Sequence, residues 1–284
     1  MPRVKNLDVS FVSGRLKNRL RSKAEILQEL REEPDKLLQT RMTSLESDCI
    51  LIGLDQYALD FPLDQVRQTF AEAAVAWLKV FELRGTEEAF PVVVMTVDPT
   101  KPEEDATFRP LHPPGTKDYS VTNSHDCFEA ICVALIAREY KTVDKLAKLM
   151  WDPPNASYIS IHSEYITPNR VHLAYAVKHL LEDNPTEAYK ELGRITFRKA
   201  DQETTYMAKM VRGLVDNNDA FFTEGLLELL FWHRKQAKMP YKKKDPEMYF
   251  SMPGVALSIL AIRRGVIQKT QLPDDPYLPL ELIR

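Results

Sequence analysis

Apolar side chains recur at three- and four-residue steps along most of this chain, the repeat that gathers them onto one face of an α-helix. From about Arg15 toward Asp60 the repeat is broken at Pro34. Because the residue before a proline is pushed out of the helical basin, two helices are expected there. Pro62 suits the first turn of the next helix, which carries Val66, Phe70, Ala73, Ala74, Trp77, Val80 and Phe81 along one side and meets a terminating glycine at Gly85. Phe90 to Val97 departs from the helical repeat. It is Val-rich and bounded by Pro91 and Pro99, which predicts an extended crossing or a small hairpin. Residues 99–123 gather Pro99, Pro102, Pro110, Pro113, Pro114 and Gly115 around the acidic run Glu103, Glu104 and Asp105, and read as a long loop.

Past that loop the pattern predicts helical hairpins with short polar turns, the connection that joins antiparallel neighbours. The first runs through Ile131–Ile136, turns over Arg138–Thr142 and continues with Val143, Leu146 and Leu149. The second runs from Tyr175 to Leu181, turns at Asp183-Asn184-Pro185 and continues with Ala188 and Leu192. The third runs from Met207 to Val215, turns at Asp216–Asp219 and continues with Phe222, Leu226, Leu229 and Leu230. Stacked hairpins of this kind resemble a short α-solenoid, although their spacing is too irregular for a tetratricopeptide repeat. The expected organisation is therefore a helical region over residues 1–98, the proline-rich acidic loop over 99–123, and a helical-hairpin region over 124–284 continuous with the first.

Composition strengthens the all-α class, with only 9 glycines in 284 residues. Hydrophobic residues make up 44% and charged residues 28%, the balance of a chain that buries a core rather than staying disordered. No apolar run approaches the roughly 20 residues that cross a bilayer. The best, Phe221 to Trp232, is interrupted by Glu224 and Glu228, so no membrane partner is expected. A net charge of −3 gives no overall pull toward nucleic acid. The basic run Arg234, Lys235, Lys238, Lys242, Lys243 and Lys244 around Tyr241 reads as a solvated loop. Arg3 and Lys5 are followed by no apolar leader segment, and the expected location is the cytoplasm. Cys49, Cys127 and Cys132 form no CxxC pair, which argues for reduced thiols rather than a disulfide framework or zinc ribbon.

The sharpest chemical signal is Ser124-His125-Asp126, since adjacent His and Asp on a helix form the metal-binding core of the all-α HD-domain phosphohydrolases. Those enzymes also need a histidine upstream and an aspartate downstream, and here His112 lies among prolines with no downstream residue singled out. The alternative is a helix start, with Ser124 as N-cap and Asp126 placed where a carboxylate favours the positive end of the helix dipole. His172 and His179 are seven residues apart, about 10 Å along one helix axis, too far for easy chelation of one ion. His162 has no obvious partner, and His233, near Glu228 at helical spacing, reads as a satisfied polar edge. Cys127 and His125, two positions apart, face different ways on a helix. GxSxG, GxxxxGK[ST], GxGxxG and HExxH are all missing, and no catalytic, cofactor-binding or metal-binding residue is assigned.

Several segments together resemble the immunity-49 family of bacterial polymorphic-toxin immunity proteins. They are Ala73–Phe81 followed by Gly85-Thr86-Glu87, the helix from His125 to Arg138 with Ala130, Ala134, Ile136 and Ala137, the stretch from Gly225 to His233, Pro253–Ala261, and Asp275-Pro276-Tyr277-Leu278-Pro279. The likeness spans about residues 60 to 284. It implies an all-helical protein, encoded beside a secreted toxin, that protects its cell by binding a cognate toxin domain in the cytoplasm. It implies neither catalytic residues nor a cofactor. Glu103, Glu104 and Asp105 are the expected contact, because a long acidic loop suits a basic toxin domain. The rival expectations are an HD-type metal phosphohydrolase and a general helical-repeat adaptor.

Overall fold

The computed structural model describes residues 3–4, 7–86, 123–151, 168–197 and 201–283 in full, and residues 93–96 and 107–110 by their backbone. Helix α1 (Val9–Glu32) starts ahead of the expected Arg15 because Asp8 caps it, its carboxylate accepting from the Phe11 N–H at 3.0 Å. The chain breaks after Glu32, around Pro34, and re-enters helix as α2 (Leu38–Ala58). Pro62 occupies the cap of α3 (Leu63–Leu83), and Gly85 follows its end with a φ of 68° that favours glycine. Strand β1 (Val93–Thr96) pairs antiparallel with β2 (Thr107–Pro110), Val93 opposite Pro110 and Thr96 opposite Thr107. The Val-rich run is thus one arm of a hairpin. Part of the segment expected as loop is its other arm, since an extended run needs a neighbour for its backbone hydrogen bonds.

The three expected helical hairpins form. They are α4 (Ser124–Ala137) with α5 (Tyr140–Leu149), α6 (Pro168–Leu181) with α7 (Pro185–Leu192), and α8 (Gln202–Val215) with α9 (Asp219–Ala237). Each turn places one residue in the left-handed region: Arg138 at φ 64°, Asp183 at 53° and Asn217 at 51°. Asparagine side chains start three of these helices: Asn123, Asn184 and Asn218 accept from the N–H three residues on, at 3.0, 3.3 and 3.0 Å. The N-cap of α4 is therefore Asn123 and not Ser124, which is its buried first residue. Helix α10 (Met252–Arg263) and the short α11 (Leu280–Ile283) complete the chain.

Packing is organised around α4. Eleven of its 14 residues are buried, and it meets α3, α5, α6 and α10, so both halves of the chain share one core. Beyond Glu129 this helix is apolar on every side and has no solvent face to keep, and its central placement follows. The α8–α9 hairpin closes more tightly than ordinary side chains permit. A Cβ on Gly213 would stand 2.5 Å from the Phe222 N, and one on Gly225 would stand 2.8 Å from the Met210 N. Two glycines, one on each helix, let the backbones touch. Among the described residues, no helix is long and apolar enough to cross a membrane.

One ion pair ties α1 to α2 and to the far end of the chain. The Arg15 guanidinium donates from Nε to Asp55 Oδ2 at 3.0 Å and from Nη2 to Asp55 Oδ1 at 2.5 Å. It also donates to the Tyr249 hydroxyl at 2.7 Å and to the Lys244 carbonyl at 2.6 Å. Asp55 is fully buried, so its charge is held by a bidentate fork rather than by water. The basic run around Lys244 is accordingly not wholly solvated. Lys244 also lies over the Phe11 ring, Lys235 over Phe231, and Arg234 pairs with Asp275.

Candidate functional site

Helix α4 presents His125, Phe128, Glu129 and Cys132 to a concavity of about 350 Å³. Arg170 enters from the first turn of α6 and Glu203 from the first turn of α8. Trp232 and His233 come from the last turns of α9, and Lys242, Glu247 and Met248 from the segment leading to α10. The glycine contacts explain how two of these meet. With Gly213 against Phe222 and Gly225 against Met210, the antiparallel register carries Glu203 to the level of Trp232.

Charge is crowded here. His125 Nε2 lies 3.3 Å from a Glu129 carboxylate oxygen and 3.3 Å from an Arg170 guanidinium nitrogen, so it either donates to the first or accepts from the second. Burial alone would raise the Glu129 carboxyl, but His125 and Arg170 hold it below its ordinary value. The Glu129 side chain stays 54% open to solvent, recessed among protein atoms rather than sealed by them. Its negative charge disfavours ionisation nearby. Burial, then Glu129, pushes the Asp126 carboxyl up to about 7. Burial pushes Glu203 up to about 7 against the pull of Arg170 and His125. Behind them Glu46, 6% exposed on α2, is raised to about 9 by burial and then by Glu129 and Asp126. Glu247 is raised by burial, then by Asp245 and Glu129.

His233 is 4% exposed, and burial lowers it to about 4, so the ring is neutral at physiological pH. The Met248 backbone meets it in a contact that favours the charged form, as donation to a carbonyl does. Its Nε2 is buried and has no hydrogen-bond partner among the described residues. The expected satisfied polar edge is therefore absent; Tyr277, edge-on at 5.2 Å, is its aromatic neighbour, and Glu228 instead pairs with Lys209.

His125 and Asp126 begin α4, as a helix start requires, and the guanidinium beside His125 Nε2 is not a metal-ligand environment. Among the described residues, no group of three or more His, Cys, Asp or Glu is arranged to hold a metal ion. His172 pairs with Glu191 at 2.7 Å and His179 with Glu182 at 3.4 Å, both structural contacts. All three cysteines are buried and free, and Cys127 Sγ donates to the Leu146 carbonyl. His112, His162 and the acidic run Glu103, Glu104 and Asp105 lie outside the described residues. Glu46, Arg170, Glu203 and Glu247 are site residues that the sequence reading passed over. Glu46 carried a signal: it falls in the apolar stripe Met42, Cys49, Ile50 and Gly53 of α2.

Residues 59–282 match the family model described as Immunity protein 49. The matched span begins just after α2 and ends within α11; it includes every residue named above as lining the concavity, while Glu46 on α2 lies ahead of it. No curated protein and no solved structure matches the chain.

Proposed function

The chain belongs to the immunity protein 49 family, and from that membership we propose that it binds a cognate bacterial toxin domain and neutralises it in the cytoplasm of the producing cell. The family match is the observation that carries this reading. The protein acts by occluding or distorting the toxin's active region, and it turns over no substrate of its own. The arrangement at His125 agrees: a guanidinium at the ring nitrogen serves an electrostatic cluster better than a metal-activated water. The phosphohydrolase and adaptor readings are not favoured by any contact described above. Protection at low cellular concentration requires an affinity of nanomolar or better, about −12 kcal/mol, through an interface of about 1,600 Å² or more.

The test is co-expression of the toxin domain encoded by the adjacent gene, with and without this protein. Growth rescue and a stable one-to-one complex are expected; a toxin that still kills and fails to co-purify overturns the assignment. A Glu103, Glu104 and Asp105 triple alanine variant tests the acidic run in the same assay, with weakened rescue expected if that run touches the toxin.

A further inference from the structure

We propose that the concavity between α4, α6, α8 and α9 receives a lysine or arginine side chain projecting from the toxin domain. The proposal rests on the immunity reading above and specifies its contact chemistry.

Three observations converge on a cationic occupant. First, carboxyl groups outnumber the fixed cations. Glu129, Glu203 and Glu247 line the space beside Arg170 and Lys242, with Asp126 and Glu46 close behind Glu129. An arriving cation would favour the ionised forms of these carboxyls, and an arriving anion would oppose them. Second, His233 Nε2 is buried and has no hydrogen-bond partner among the described residues. In the tautomer that carries the proton on Nδ1 it is a bare acceptor, which an ammonium or guanidinium N–H satisfies and a phosphate or carboxylate oxygen does not. Third, the walls between the charges are apolar. Phe128, Met207, Trp232 and Met252 suit the aliphatic stem of a long basic side chain. The volume of about 350 Å³ is at the small end for a bound ligand, and fits a protruding side chain better than a cofactor.

The experiment is titration of the purified protein against the adjacent gene's toxin domain, comparing wild type with Glu203→Gln and with Glu129→Gln/Glu203→Gln. Glu224→Gln, on the outer face of α9, serves as the control. Far-ultraviolet circular dichroism and the melting midpoint verify folding, and Glu203→Gln alone answers the question if the double variant is unstable. Both carboxamide variants should weaken binding, the double one roughly a hundredfold, with the control unchanged. Free arginine amide should compete with the toxin domain, and inorganic phosphate at equal ionic strength should not. Wild-type affinity in both variants, or competition by phosphate instead, overturns this proposal and leaves the immunity reading intact. A wild-type protein that binds no toxin domain overturns both.

Discussion

Two clusters of buried charge sit in this molecule, and they are built on opposite principles. At the α1–α2 junction a single carboxylate, Asp55, is answered by a single guanidinium, and Arg15 sends its remaining donors to a hydroxyl and a carbonyl. At the concavity Glu129, Glu203 and Glu247 share Arg170 and Lys242, burial keeps Glu203 and, behind the wall, Asp126 and Glu46 protonated to about 7 or beyond, and His233 Nε2 has no hydrogen-bond partner among the described residues. The first arrangement is complete in the isolated chain and does one thing, which is to join segments far apart in sequence. The second leaves a buried ring nitrogen without a partner among the described residues, the feature from which the contact above is proposed. Charge satisfied internally marks architecture, and carboxyls held protonated around a concavity make it a candidate place of contact.

The comparison breaks most sharply at Asp55. Replacing Asp55 with alanine strands Arg15 among buried groups and should cost about 3–5 kcal/mol in urea denaturation, because an uncompensated charge is far worse than no charge. A loss under about 1 kcal/mol would mean that this cluster, too, is not a structural one.

A pH series sharpens the other side. Asp126 and Glu203 ionise in the unfolded chain at their ordinary values near 4, yet in the fold they keep protons to about 7, and Glu46 keeps its proton to about 9. Over this range the folded state binds more protons, so these groups make stability fall as pH rises. His233 opposes the trend only below its unfolded value of 6.5, where the unfolded state takes up a proton that the fold refuses. From pH 6.5 to 9 the predicted loss is on the order of 5 kcal/mol, most of it from Glu46, and Glu46→Gln should largely flatten it. Stability that is level or rising across that interval would remove the surplus-charge description of the concavity.

The smallest effect belongs to a pair outside both clusters. Arg21 and Glu25 meet at 2.9 Å one turn apart, with side chains 82% and 60% exposed. Arg21→Ala should change stability by no more than about 0.5 kcal/mol. A larger change would show that exposure does not separate consequential from inconsequential charges in this fold.

Legibility in the sequence divides along the same line. Helical hairpins are local, and their turns announce themselves through Asn184-Pro185 and Asn218-Asp219, so element order and turns were readable to within a few residues. The start of α4 was also readable, although the capping side chain proved to be Asn123, one residue earlier than the hydroxyl that looked suited to it. The concavity was not readable as a unit. Its groups come from α2, α4, α6, α8, α9 and the approach to α10, and Arg170, Glu203 and Glu247 each look like ordinary solvated charges until tertiary packing turns them toward one another. His125 was noticed for its neighbour Asp126, whereas its actual companions are Glu129, one turn on, and Arg170, brought in from α6.

The reciprocal glycines of α8 and α9 have a bearing on kinetics. Backbones in contact at two levels leave little room to slide or rock, so the close packing favours a hairpin whose ends, carrying Glu203 and His233, hold their places. A receptor wall preorganised in this way loses little conformational entropy on association and need not wait for a minor state to be populated. On the immunity function proposed above, encounter with the toxin domain would then be limited by diffusion and orientation.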